Sequence, residues 1–494
     1  MINTANNGLF CEENFLIDTD SYKVSHFLQY PPGTVSMFSY IESRGGEYNK
    51  TVFFGLQYYL KRYLTHQVTV AEVEEAKEFF EAHGEPFNYE GWMYVATKLD
   101  GKLPVRIRAV PEGSVVPTHN IMVSIESTDP KAFWAVSWVE TMLLRVWYPI
   151  TVATRSHKIR QIILEALNIS ADDPDEEIKF KLHDFGSRGV SSQESAAIGG
   201  AAHLVNFFGS DTVVGVRMAN KVYNNGKMSA WSIPAMEHSS VTSWGRKNEV
   251  QAYRNMLKKC GKPGAPVAFV SDSYDLWNAC SKLWGEELKQ EVIDSGAVVV
   301  IRPDSGNPST VVLRAAQLLE EKFGVTINSK GYKVLNNVRL IQGDGINEHT
   351  IQEILNVLLS HKYSATNIAF GMGGALLQQV NRDTQKFAMK CSHIYRLIDQ
   401  NDLVDGDNVV FELDGDELVS VDVYKDPVTD HGKRSKAGRL DLVRDGSSNY
   451  QTVAIGNEEV HPNSVMVTVF ENGEVLKEWN LDEDIRPRAR GEMV

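Results

Sequence analysis

VVVIRPDSGNP, residues 298–308, changes character in its middle. Val298 to Ile301 read as a buried strand. Arg302, Pro303, Asp304, Ser305, Gly306 and Asn307 read as a polar, backbone-permissive loop at its end. A guanidinium at a strand mouth offers a planar fork of donors to phosphate or carboxylate. Asp304, two residues on, suits sugar hydroxyls or water on a magnesium ion. The plain alternative is an Arg302–Asp304 ion pair that merely closes the rim.

The same pattern recurs on both sides. FKLHDFGSRG (180–189) reaches Asp184, FGSDTVVGV (208–216) Asp211, and WSIPAMEHSS (231–240) His238. PVAFVSDSYD (266–275) leads to Asp272, VRLIQGDG (338–345) to Asp344, and NIAFGMGG (367–374) into glycines. From Asp184 through Asp304 to Gly371 the steps are 27, 27, 34, 32, 40 and 27 residues. A βα unit needs about 30 residues, and repeated units make a parallel sheet with buried strands. An open doubly wound sheet and a closed barrel both fit. Seven polar strand ends around one site favour the barrel, whose strands all end at one face. The expected fold is therefore α/β: a (β/α) barrel-like domain over 151–390. The intervening segments are read as helix-like, SYDLWNACSKLWGEELKQEVI (273–293) among them.

The flanks read differently. TVAEVEEAKEFFEAHG (69–84) opens on a Thr cap and closes on Gly, as a helix does. KLPVRIRAVPEGSVVP (102–117) alternates like a strand and turns at PEG. VVFELDGDELVSVDV (409–423) and MVTVFENGEVLKEW (466–479) read as hairpins around DGD and Asn472-Gly473. ADDPDEE (171–177) is expected to be a surface loop, and Tyr22 of DSYK to sit in an early loop.

With 494 residues and 43% hydrophobic content the chain can bury a large core. A formal charge of −14 lacks the basic footprint of nucleic-acid binding. Cys11, Cys260, Cys280 and Cys391 have no metal-site spacing and are read as free thiols of a reducing compartment. MINTANNGLFCEENF has no signal-peptide pattern. The most apolar segment, 133–150, carries Glu140 and Arg145 and falls short of a membrane span. A cytoplasmic protein with no membrane partner is expected.

Two further signals concern chemistry. GDG (343–345) and GMGG (371–374, with Gly373 and Gly374) follow the last two strands, where glycine backbones admit a phosphate. Plain tight turns also use such glycines. His238, beside Glu237, has Asp272 expected at the next strand end, and a His oriented by a carboxylate fits a base or nucleophile. Phe185 and Arg188 put an aromatic and a cation on the same rim, although an aromatic alone more often packs than stacks.

Taken together, DSYK, FFGLQY, WYPITVATRS, KLHDFGSRGVSSQE, GSDTV, PAMEHS, SDSYD, IRPDSGNP, QGDG, FGMGG and KDPVTD resemble the nicotinamide phosphoribosyltransferase family, in order from about residue 16 to 440. The resemblance implies transfer of phosphoribosyl from phosphoribosyl pyrophosphate to nicotinamide, giving nicotinamide mononucleotide and pyrophosphate in NAD salvage. Mg²⁺ accompanies the diphosphate, and ATP, as co-substrate, phosphorylates His238, with Asp272 orienting it. It also implies a homodimer with active sites at the interface, and one discontinuous α+β domain of 1–150 plus 391–494.

By the same resemblance, Phe185 stacks on the pyridine ring with Tyr22 from the other subunit, and Asp211 accepts from the carboxamide NH₂. Arg188, His238 and Arg302 face the diphosphate, and Asp304 takes the ribose hydroxyls. Gly343, Asp344, Gly373 and Gly374 line the ribose-phosphate, with Arg382 reaching it across the dimer. Lys390, Lys425 and Lys433 match the basic residues along the phosphate path. Departures from the family pattern are a shorter loop after SRGGEYNK, Ala388 in place of a hydroxyl residue, and an extra acidic hairpin within 392–420. Rival readings are a nicotinate phosphoribosyltransferase, disfavoured by Asp211; an enolase-type barrel, which leaves Arg302 unexplained; and a non-catalytic dimeric binding protein on the same scaffold.

Overall fold

The computed structural model describes residues 14–397, 409–413, 416–430, 433–445 and 449–493. Cys11 and much of the acidic 392–420 segment lie outside the described residues; Cys260, Cys280 and Cys391 are free thiols. No helix among the described residues is long and apolar enough to cross a membrane.

The chain divides into two compact units, 1–151 with 381–494, and 152–380. The first contains an eight-stranded antiparallel sheet. Strand Thr34–Ser43 lies between Phe387–Leu397 and Ile121–Ser127, so N- and C-terminal segments interleave. Pairing of Phe387–Leu397 along Thr34–Ser43 draws the division back to 381 from the expected 391. Arg382 and Lys390 thereby move out of the domain to which the sequence reading assigned them.

Local chemistry accounts for the other elements of this unit. Thr69 and Glu72 form a reciprocal capping box for helix Val70–His83, which ends at Gly84 with φ 92°. Asn472 (φ 48°) and Gly473 (φ 82°) supply the left-handed turn between Val467–Glu471 and Glu474–Val475. The DGD hairpin pairs Val409–Leu413 with Asp416–Asp422. Tyr22 belongs not to a loop but to the 3₁₀ helix Ser21–Leu28.

The second unit holds six parallel strands, in the order Gly209–Ser210, Leu182–Asp184, Ile368–Met372, Val338–Gln342, Val298–Arg302 and Pro266–Val270. A seventh segment joins the two edges. Trp231 bridges Gly209, Ala235 bridges Ala268, and the Met236 N–H donates to Ala268 O at 3.0 Å. The segment cannot form a full strand because Pro234 has no N–H to give, yet it closes the ring. All seven expected polar strand ends therefore emerge at one face.

Two readings change here. ADDPDEE is not a loop: Asp173 caps a helical turn, Pro174–Glu177, and Ala171 is buried. The 273–293 segment is helical but interrupted, with wide π turns over Ala279–Glu287 between Leu276–Asn278 and Lys289–Ser295.

Helices Gln193–His203 and Val213–Met218 cross beneath Asp184 at a glycine pair. A Cβ on Gly215 would lie 2.7 Å from Gly200 Cα, and one on Gly200 would lie 3.3 Å from Asp184 Oδ2. Gly215→Ala is expected to cost about 1–3 kcal/mol by overpacking. The lower melting temperature is measurable by calorimetry; an unchanged one would show that the helices can part freely.

Candidate functional site

Asp272 fixes the centre of the second unit's site. Its side chain is 6% exposed. Oδ1 lies 3.1 Å from His238 Nε2, while Oδ2 accepts the Asp304 N–H at 3.1 Å and the Ser305 hydroxyl at 2.6 Å. His238, 45% exposed, turns Nδ1 toward Asp304 Oδ2 at 3.9 Å, and Arg302 approaches the same oxygen at 3.7 Å. The Arg302–Asp304 pair that sequence left as a bare alternative is thus present, but loose and inside a cavity. Burial, aided by the charges of Asp272 and Asp344, raises the Asp304 pKa despite Arg302 and His238.

Two adjoining cavities meet here. A slot of about 390 Å³ is lined by His183, Phe185, Asp211, Ser232, Ala268 and Ile341 among others. A more open basin of about 410 Å³ is lined by Glu237, His238, Ser239, Asp304, Gly343 and Gly373. Phe185, Arg188 and Arg302 belong to both linings. Arg188 is exposed and makes no ion pair among the described residues. Asp344, exposed, and Gly374, open on its Cβ side, stand on the same rim loops.

Phe185 is positioned by backbone. Its N–H donates to Met372 O at 2.9 Å, and a Cβ on Gly371 would fall 2.0 Å from the ring. A Cβ on Gly343 would lie 3.4 Å from it. The first glycine of GMGG therefore makes room for an aromatic face, a use the phosphate reading did not foresee.

The sequence reading assigned no role to three residues in or under the slot. The Ser232 hydroxyl donates to Asp211. His183 lines the slot and is buried, and burial lowers its pKa, with the Asp211 charge opposing. Asp184 lies beneath. Its Oδ1 accepts the Gly186 N–H at 2.7 Å, and its carbonyl accepts the Asp211 N–H at 2.9 Å. One residue thus ties the Phe185 loop to Asp211. The only sequence signal was its place at a strand end.

In the first unit, Tyr22 is 57% exposed, with its ring edge-on to His26 at 5.0 Å, and neighbouring Lys23 pairs with Glu140. Burial lowers the Lys390 pKa; Glu140 opposes, while Arg44, Lys23 and Lys425 add to the lowering. That places Lys390 in a cationic cluster. Lys425 and Ser435 exchange hydrogen bonds at 2.8 and 2.9 Å. Lys433 lies 3.7 Å from Asp430, and Arg382 lies 3.1 Å from Asp383. Among the described residues no group of three or more His, Cys, Asp or Glu is arranged to hold a metal ion.

The ring of parallel strands thus carries an aromatic–acid slot beside a cationic, glycine-edged basin. Residues 180–411 match the nicotinate phosphoribosyltransferase (NAPRTase) family, and residues 14–107 match the nicotinamide phosphoribosyltransferase N-terminal domain. The chain is 54% identical to a nicotinamide phosphoribosyltransferase of Xanthomonas campestris pv. campestris, over 97% of this chain and 98% of that one. It is 31% identical to one of Mycoplasma genitalium, over 87% and 96%. The chain belongs to the nicotinamide phosphoribosyltransferase family.

Solved structures agree in fold. Nicotinate-nucleotide pyrophosphorylase from Pyrococcus furiosus superposes with a TM-score of 0.59 at 16% identity, over 98% of this chain and 96% of that one. Human nicotinic acid phosphoribosyltransferase gives 0.55 at 15%, over 96% and 93%.

Asp184 makes a prediction of its own. Burial pushes its carboxyl from 3.8 up to about 6, against the Gly186 N–H and Thr212 hydroxyl and with the Asp211 charge adding. Oδ2 lacks a well-formed hydrogen bond. A carboxyl with a raised folded pKa binds its proton more readily in the folded state. Its stabilisation is therefore full at low pH and lost as pH rises through the folded pKa. Asp184→Asn is expected to melt above the wild type at pH 7.5, with the gap narrowing toward pH 4. A gap independent of pH would contradict the buried, raised carboxyl.

Proposed function

We propose that this chain transfers the phosphoribosyl group of phosphoribosyl pyrophosphate to nicotinamide, releasing pyrophosphate and forming nicotinamide mononucleotide for NAD salvage. The observation that carries the proposal is the shared wall of Phe185, Arg188 and Arg302 between slot and basin. A flat base in the slot and a sugar diphosphate in the basin then meet at one boundary. In the slot, Phe185 stacks on the pyridine face and the Asp211 carboxylate accepts from the carboxamide NH₂. In the basin, Arg302, Arg188 and His238 take the leaving diphosphate, and Asp304 takes ribose hydroxyls. Gly343, Asp344, Gly373 and Gly374 border the ribose-phosphate. Breaking the ribose C1–O bond builds oxocarbenium character, so fixed cations on the departing oxyanion stabilise the transition state.

Mg²⁺ suits this rim as a substrate-borne ion, since Mg²⁺ typically uses one or two carboxylates plus phosphate oxygens. Asp304, whose charge is disfavoured by burial and by Asp272 and Asp344, is the carboxylate that would meet it, and the ion would neutralise diphosphate charge there. ATP coupling is proposed through His238: with Nε2 held by Asp272, Nδ1 is the nitrogen turned to the basin for phosphorylation. We also propose a cytoplasmic homodimer in which Tyr22 and Arg382 of one subunit complete the other's site, with Lys390, Lys425 and Lys433 along the phosphate path.

The test offers nicotinamide and nicotinic acid separately, with phosphoribosyl pyrophosphate and Mg²⁺, with and without ATP. Nicotinamide is expected to react faster, and ATP to stimulate wild type but not His238→Ala. Equal use of nicotinic acid would favour the nicotinate reading. An ionised Asp211 repels a nicotinate carboxylate by several kcal/mol in order of magnitude, so Asp211→Ser is expected to narrow the preference roughly tenfold or more. Unchanged selectivity would remove Asp211 from that role.

The shared-site proposal has a separate test. Mixed Tyr22→Ala and Arg302→Ala proteins are expected to regain up to about a quarter of wild-type activity after subunit exchange, because one hybrid site carries neither lesion. No recovery despite proven exchange would place each site within a single subunit.

A further inference from the structure

Arg155 lies outside both cavity linings, yet it holds the two loops that border the basin. It projects from helix Trp147–Ser170 and is 8% exposed. Nη1 donates to the Ala375 carbonyl at 2.7 Å and to the Gln379 carbonyl at 2.8 Å, and Nε lies 3.8 Å from Glu348 Oε1. The Ala375 carbonyl belongs to the turn Gly374–Leu377 that begins on the last glycine of GMGG, and the Gln379 carbonyl lies two residues beyond it; Gly374 O receives the Gln378 and Gln379 N–H groups, each at 2.8 Å.

Glu348 opens helix Glu348–Ser360, directly after GDG. The same first turn returns the Thr350 hydroxyl to Gly345 O at 2.9 Å. One buried guanidinium therefore grips the end of one glycine loop and pairs with the helix that holds the other. Glycine loops have no side chains to pack and lose the most backbone freedom on ordering, so they need an outside hold. The fork geometry of arginine allows donation to two carbonyls while keeping Nε toward a carboxylate; a lysine ammonium is a single point.

We infer that Arg155, through Glu348 and the 375–379 carbonyls, is a positioning residue for the phosphate end of the site. It fixes the spacing between Gly343 and Gly373, and so sets affinity for the sugar-diphosphate substrate more than affinity for the base, whose ring contact Phe185 is tied to Met372 rather than to the 375–379 carbonyls. This rests on the proposed division of the two cavities between base and diphosphate.

The experiment uses the full chain with Arg155→Met, Arg155→Lys and Glu348→Gln. It measures both KM values, kcat, calorimetric affinity for phosphoribosyl pyrophosphate, and melting temperature. Arg155→Met keeps an unbranched stem but removes every donor. Its KM and Kd for phosphoribosyl pyrophosphate are expected to rise roughly tenfold or more, with KM for nicotinamide and kcat within about threefold. Arg155→Lys should recover part of the loss. Glu348→Gln, at a partly exposed position, should raise the same KM by about two- to threefold without changing the melting temperature.

Equal rises in both KM values, or no change in phosphoribosyl pyrophosphate affinity in a folded Arg155→Met protein, would overturn the assignment. If Arg155→Met fails to fold, unchanged affinity in both of the other variants would do the same. Wild type that binds phosphoribosyl pyrophosphate but never uses a pyridine substrate would sink the proposed reaction while leaving the affinity comparison decisive. Active wild type with no selective shift in the variants would sink only the Arg155 role.

Discussion

The two carboxylate oxygens of Asp272 serve three partners drawn from two other strand ends. One oxygen holds His238; the other collects the Asp304 N–H and the Ser305 hydroxyl. Hydrogen bonds to a charged group are worth about 1.5–3 kcal/mol each, more than neutral ones, and a largely buried carboxylate loses heavily if any partner is withdrawn. The consequence is geometric. With Nε2 engaged, the imidazole can rotate little, and the loop carrying Arg302 and Asp304 cannot slide along the rim. The slot–basin boundary, of which Arg302 is a wall, inherits its position from that carboxylate.

Periodic signals made much of this fold legible. The polar strand ends from Asp184 to Gly371 recur because each βα unit returns the chain to the same face, and all seven emerge there. Thr69, Glu72 and Gly84 marked a helix because their roles are local, and Asn472-Gly473 marked a turn for the same reason. Finer detail was less legible. The sequence pattern placed 231–240 among the strand ends, but not that 231–236 closes the ring through isolated bridges rather than a full strand. The π turns over Ala279–Glu287 keep a helical pattern of residues while changing the hydrogen bonds.

The site was legible in its exposed polar residues and not in what supports them. Phe185, Asp211, His238, Asp272, Arg302 and Asp304 stand at strand ends, where type and place both point to chemistry. Gly371 was read as a backbone for phosphate, whereas its missing side chain accommodates the Phe185 ring; only a distance could separate those uses. Asp184 and Arg155 act on backbone groups, which carry no residue identity. Neither the Asp211 N–H nor the Gln379 carbonyl leaves a trace in the letters of its own position.

The interleaved sheet of the first unit bears on how the protein is made. Strand Thr34–Ser43 is flanked on one side by Phe387–Leu397, which leaves the ribosome only after the whole of 152–380. At roughly 5–20 residues per second, that strand waits on the order of 20–70 s with an open edge. The parallel ring, contiguous in sequence, has no such delay. Nascent chains therefore pass through a stage in which the central unit can already be complete while the flanking sheet still lacks partners, an interval of exposure to chaperones and to mispairing that for Thr34–Ser43 ends when residue 397 emerges and for the sheet as a whole only with Val467–Glu471 and Glu474–Val475.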